Sequence, residues 1–103
     1  MKVRDIWKFV ASIDPDARHY SNPHDGTNYT VWAEYERIGI AKDDEFGDGW
    51  KFQIDRFTKT EYDEIAEMLD AALLENPCIA YTYMVEYEQD SKYIHHIFDC
   101  EGV

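Results

Sequence analysis

No apolar run in this chain approaches the roughly 18 residues that a membrane-spanning helix needs. No basic-then-apolar segment opens it either, so no signal peptide is expected. Only two cysteines are present, Cys78 and Cys100, which is too few for a disulfide framework. The expectation is a soluble protein of a reducing compartment with both thiols free. Basic residues are scarce as well: 10 Lys and Arg stand against 22 Asp and Glu, for a net charge of −12. A chain of that charge repels phosphate backbones and anionic lipid, which argues against sequence-specific nucleic acid and membrane as direct partners. A basic protein surface stays open as a partner. Glycine-rich phosphate loops and a G-x-S-x-G elbow are also missing.

What is there in quantity is aromatic. The chain is 45% hydrophobic and 16% aromatic, with eight tyrosines among 103 residues. That composition supports one folded domain spanning 1–103 with a single modest core and a β-rich body.

The opening segment KVRDIWKFVASI places Val3, Ile6, Trp7, Val10 and Ile13 at helical spacing, and Pro15 closes it. Residues 14–28 carry Asp, Ser, Asn, Pro and Gly and read as loop. In YTVWAEYERIGI, 29–40, a strand would put Tyr29, Val31, Ala33 and Tyr35 on one face. The acidic segment 41–49 reads as a connector to a second strand, WKFQIDRF at 50–57, where Trp50, Phe52 and Ile54 alternate with Lys51, Gln53 and Asp55.

A second helix follows, with Thr58 or Thr60 as N-cap and Glu61 or Asp63 completing a capping box. Its apolar stripe is Tyr62, Ile65, Ala66, Leu69, Ala72 and Leu73, and Asn76-Pro77 ends it. IAYTYMVEY and KYIHHIFDC, separated by the turn EQDSK, are the last two strands. The fold class is therefore α+β in the order α-β-β-α-β-β, a four-stranded, mainly antiparallel sheet with two helices available to cover it.

The clusters with chemical interest are few. His95, His96, Asp99 and Cys100 stand within six positions. On a strand, adjacent side chains point to opposite faces, and His96 and Cys100 are separated by roughly 13 Å at about 3.3 Å per residue. Zinc ligands must converge to bonds of about 2 Å, so this spacing reads as ordinary strand, with His95 open to an interface role. The run DDEFGD holds Asp43, Asp44, Glu45 and Asp48 but lacks the ligand spacing of an EF-hand. It reads as a solvated connector or a contact loop for a basic surface. His19 and His24 flank a Pro-Gly-rich loop; a Cys–His catalytic pair would need Cys78 or Cys100 to meet one of them, and nothing in the sequence demands it. Tyr81, Tyr83 and Tyr87 form a row that reads as core plus interface.

The run WKFQIDRFTKTEYDEIAEMLDAALLENPCIAYTYMVEYEQDSKYIHHIFD, residues 50–99, goes further. An alternating strand, then T-K-T, an acidic amphipathic helix and two strands ending in Y-x-H-H-x-F resembles the small tail-completion or tail-terminator proteins of long-tailed bacteriophages and prophages. NYTVWAEYE, 28–36, is similar to that family's P-Y-x-V-Y strand, with Asn28 where proline is common. The resemblance implies a structural protein, not an enzyme, with no cofactor. It implies a ring, typically a hexamer, at the head-proximal end of the tail tube, which stops tube polymerisation and docks to the head connector or neck protein. Its location would be the host cytoplasm during assembly and then the head–tail junction of the virion. Within that frame the expected contact residues are Asp43, Asp44, Glu45, Asp48, His19, His24 and His95, with the loop 18–28 and the acidic connector facing the lumen, the tube or the connector. Two readings compete with it. One is an acidic nucleic-acid mimic that inhibits a host DNA-binding enzyme, which the net charge would explain. The other is a small hydrolase with paired carboxylates, for which no motif places the pair.

Overall fold

The computed structural model describes residues 1–21, 27–39 and 49–103. Helix α1 (Val3–Ile13) comes first, followed by β1 (Arg18–His19), β2 (Tyr29–Ile38), β3 (Gly49–Thr58), α2 (Glu64–Glu75), β4 (Ile79–Tyr87) and β5 (Ile94–Gly102). The strands form one sheet in the order β1-β2-β3-β5-β4. β1 runs parallel to β2, and the other three pairings are antiparallel.

The α+β class and the two helices are as expected, but the sheet has five strands and is mixed rather than four-stranded. The added strand β1 pairs only Arg18 with Val31 and His19 with Trp32. Two exposed residues carry no periodicity, so this strand is invisible to alternation. It also takes the start of what reads as loop 18–28. A bulge between Glu34 and Glu36 shifts the register of β2 against β3, and the Tyr35 hydroxyl donates to Asp99 Oδ1 of β5 at 2.6 Å.

Alternation decides which face is buried. Trp32, Ile54 and Phe98 lie side by side across β2, β3 and β5, and Phe52 pairs with Cys100. These residues, with Ile79, form the core against Ile6 and Val10 of α1 and Leu69 and Leu73 of α2. Both helices therefore cover one face of the sheet. The other face carries Val31, Ala33, Gln53, Asp55, Ile97 and Asp99, and among the described residues no helix covers it.

The helix ends follow from local chemistry. The Lys2 amide donates to Asp5 Oδ2 at 2.7 Å, and the acid in the first turn suits the positive end of the helix. Helix α2 is capped by Asp63, whose Oδ2 accepts from the Ala66 amide at 2.9 Å. The expected caps, Thr58 and Thr60, are not used: Thr58 ends β3, and its hydroxyl accepts from the Thr60 amide at 2.9 Å. Tyr62, expected in the buried stripe, precedes the helix with φ 57° and is 88% exposed.

One charged cluster is buried where the helix ends meet the sheet. Arg56 on β3 is 5% exposed, beside Asp14 at the end of α1, Asp63 at the start of α2, and Thr30 on β2. Its Nη1 donates to Thr30 Oγ1 at 3.3 Å and lies 3.6 Å from Asp14 Oδ2. Nε and Nη2 donate to the two carboxylate oxygens of Asp63 at 2.9 and 3.1 Å. A buried charge is tolerated only when paired and hydrogen-bonded, and here the cation ties both helix ends to the sheet. Burial would push the Asp63 carboxyl up, but the Arg56 hydrogen bonds, the Ala66 amide and the Arg56 charge outweigh it and hold it below its ordinary value.

Candidate functional site

β5 settles the His-His question. His95 points to the open face and His96 to the helix-covered face, because neighbours on a strand alternate. Among the described residues no three of His, Cys, Asp and Glu come together as a metal site.

His95 belongs to an aromatic group on the open face. Its ring stacks on Phe57 at 4.1 Å, and Phe57 stacks on Tyr29 at 4.7 Å. Tyr93 meets both edge-on at 5.6 and 6.0 Å, and the Lys59 ammonium sits 4.8 Å over the Tyr93 ring. His95 Nε2 lies 2.7 Å from Asp55 Oδ1, and Nδ1 lies 3.6 Å from Glu88 Oε2. Both ring nitrogens thus face carboxylates, which fixes the imidazole.

His96 is held differently. The Tyr83 hydroxyl is 2.6 Å from its Nδ1, and Tyr83 stacks on Phe98 at 4.3 Å. Burial pushes the His96 imidazole below its ordinary value. His19 lies at the far side of the sheet. Its ring stacks on Trp32 at 3.9 Å and on Tyr20 at 3.8 Å, and Nε2 is 3.0 Å from Glu34 Oε1. His19 therefore lids the edge of the core tryptophan. The expected contact residues Asp43, Asp44, Glu45, Asp48 and His24 lie outside the described residues. His19 and His95 are not brought together.

Both cysteines are free thiols: Cys78 is exposed, while Cys100 is buried. Burial pushes the Cys100 thiol up to about 12. Two small cavities open on the described surface. One, of about 300 Å³, is lined by Asp14, Asp16, Arg18, Asn28, Arg56 and Ile65. The other, of about 270 Å³, is lined by Tyr35, Lys51, Tyr81, Asp99, Cys100 and Glu101. No histidine lines either.

The feature that sequence reasoning undervalued is β4. Ile79 is buried and Tyr81 half-buried, its hydroxyl donating to Asp70 Oδ1 of α2 at 2.6 Å. Beyond that point the strand is exposed through Tyr87. Tyr83 is 38% exposed, Met84 54%, Val85 55% and Tyr87 54%. Length explains this for Tyr83, Val85 and Tyr87 on the helix side: a helix of 12 residues covers roughly 18 Å, whereas a strand of 9 residues runs about 30 Å. Met84, paired with Ile97, lies on the opposite face. Among the described residues β4 pairs only with β5, so its outer row of backbone N–H and C=O groups is open. The tyrosine row reads as core at Tyr81 and surface at Tyr83 and Tyr87.

No known family model matches the chain, and no curated protein matches it. A chain of a solved structure described as the virion of a native gene transfer agent (GTA) particle is similar to it at 12% identity. The match covers 90% of this chain and 81% of that one, with a TM-score of 0.47. A likeness of this degree does not transfer a role, and it does not bear on the tail-terminator family.

Proposed function

We propose that this chain is a structural virion subunit that caps the head-proximal end of a phage tail tube as a ring, ends tube polymerisation and prepares the tail for head joining. The observation that carries the reading is the uncovered run of β4. A long edge strand with Tyr83, Met84, Val85 and Tyr87 exposed is an aggregation hazard in a protein that works alone. It suits a subunit that is completed by neighbours in an assembly. The resemblance of residues 50–99 to tail-terminator proteins points the same way. On this reading the partners are further copies of the chain, the tail tube protein and the head connector, and the work involves neither catalysis nor a cofactor. A net charge of −12 suits the wall of a DNA conduit, since like charge keeps the passing duplex from adhering.

The test is deletion of the coding sequence from the phage or prophage that carries it, with negative-stain microscopy of the lysate. Filled heads beside unattached tails of abnormal length are expected. Tails of correct length that fail to join heads would replace the terminator with a neck adaptor. Intact infectious particles would overturn the assembly reading and favour the acidic mimic.

A further inference from the structure

Charge is unevenly shared between the two helices. Although acids outnumber bases 22 to 10 in the chain, the outer stripe of α1 is Arg4, Trp7, Lys8 and Ala11. These positions stand at i, i+3, i+4 and i+7 and so share one face. Trp7 on that stripe is 54% exposed, and Arg4 and Lys8 are exposed beside it. The outer stripe of α2 is the converse. Glu64, Glu67, Met68, Ala71, Leu74 and Glu75 line it, all exposed, with Met68 at 43% and Leu74 at 75%. Among the described residues, none of Arg4, Lys8, Glu64, Glu67 and Glu75 forms an ion pair. Each stripe therefore carries exposed apolar side chains interleaved with unpaired charge of one sign.

We infer that the α1 stripe of one copy of this chain docks on the α2 stripe of the next. Trp7 packs against Met68 and Leu74, while Arg4 and Lys8 face Glu64 and Glu67. The two surfaces differ, so the contact is head-to-tail, the kind that closes into a ring. The contact deepens the assembly reading above and rests on it. Both stripes lie on the side of the helices away from the sheet, so docking here leaves the β4 edge free for another partner. Complementary charge sets the register of such a contact and like charge opposes it. The association therefore weakens as salt rises.

Sedimentation velocity of the full chain at low ionic strength tests this with two charge-reversed forms, Arg4→Glu with Lys8→Glu and Glu64→Lys with Glu67→Lys. All four positions are exposed, and the two lysines in the first turn of α2 weaken that helix only modestly, so folding is expected to be retained, which circular dichroism and a urea midpoint verify. The wild-type chain is expected to self-associate, and each reversed form to associate at least about tenfold more weakly, as like charges now face each other. An equimolar mixture of the two forms is expected to regain association, because the reversed α1 of one meets the reversed α2 of the other. Three results would overturn the contact: a wild-type chain that stays monomeric, reversed forms that associate like wild type, or a mixture that regains nothing. Failure here with abnormal tails in the deletion discards this contact and keeps the assembly reading. Intact particles in the deletion discard the assembly reading whatever the sedimentation shows.

Discussion

Arg56 and Asp63 meet as a fork on a fork: guanidinium Nε and Nη2 reach the two carboxylate oxygens at 2.9 and 3.1 Å, with both residues buried. The same carboxylate caps α2 through the Ala66 amide. Replacing Arg56 with Met would leave Asp63 and Asp14 buried without their cation. Removing one partner of a buried pair costs about 3–5 kcal/mol, so Arg56→Met should lower the urea midpoint sharply. Adding Asp63→Asn should return part of that loss, because asparagine is uncharged and remains a good N-cap. Equilibrium unfolding of the single and double variants decides it. A double variant no more stable than Arg56→Met would count against an unpaired charge as the cause.

Acid should unfold the chain partly through this carboxylate. Its folded value lies below the ordinary one, on balance of burial against the Arg56 hydrogen bonds, the Ala66 amide and the Arg56 charge. The stability it contributes is then complete above the unfolded value near 3.9 and lost as pH falls through the folded value. Asp63→Asn should flatten the stability profile below about pH 4, read as urea midpoint against pH. An unchanged slope there would assign acid unfolding to other groups.

His96 gives a second pH limb at higher pH. Burial lowers its folded value, and the nearby charges of Arg56 and His95 add to that while Asp63 opposes it. The unfolded chain therefore binds a proton that the folded chain refuses. Stability should be full above the unfolded value near 6.5 and decline as pH falls from there toward the folded value. His96→Gln removes the titration while keeping an acceptor for the Tyr83 hydroxyl, now 2.6 Å from Nδ1. Its stability should be level across that window where the wild type slopes. Two parallel profiles would sink the assignment.

The same residues show what could and could not be read from the sequence. Strand faces were legible because alternation of Trp50, Phe52 and Ile54 against Lys51, Gln53 and Asp55 has one physical meaning. The helix α1 was legible for the same reason at helical spacing. Arg56 was not, since it continues the inward register behind Phe52 and Ile54 but breaks the apolar pattern. Carrying the alternation one step further would have placed a cation inside and prompted a search for its acid. With that link made, Asp63 becomes the cap in preference to Thr58 or Thr60, because only its position serves the helix and the guanidinium together. β1 offered no signal at all, being two exposed residues. The tyrosine row of β4 read as core plus interface because its apolar alternation is intact, and the short reach of α2 is what leaves Tyr83, Val85 and Tyr87 bare.

The two thiols should separate cleanly. Cys78 is exposed, whereas Cys100 is buried with its thiol pushed up to about 12. The thiolate is the reactive form, so a maleimide at neutral pH should label Cys78 alone in the folded chain and both cysteines in denaturant. Intact mass and peptide mapping give the count and the position. Rapid double labelling without denaturant would mean that β5 opens from the core far more readily than its central pairing with β3 suggests.

Assembly and stability should come apart at β4. Met84 and Val85 are 54% and 55% exposed, and their pairing partners Ile97 and His96 sit on the neighbouring strand β5. Met84→Lys and Val85→Lys place a charge on opposite faces of an edge strand, the device by which edges are kept from pairing. Little buried apolar area is lost, so each should change unfolding free energy by no more than about 0.5–1 kcal/mol. If β4 is where the assembly forms, complementation with either variant should give a soluble, folded chain and the same abnormal tails as the deletion. Normal tails from both variants would move the assembly contact off this strand. A variant that unfolds would instead show that this end of β4 contributes more to the core than its exposure implies, which the urea midpoint separates from an assembly defect.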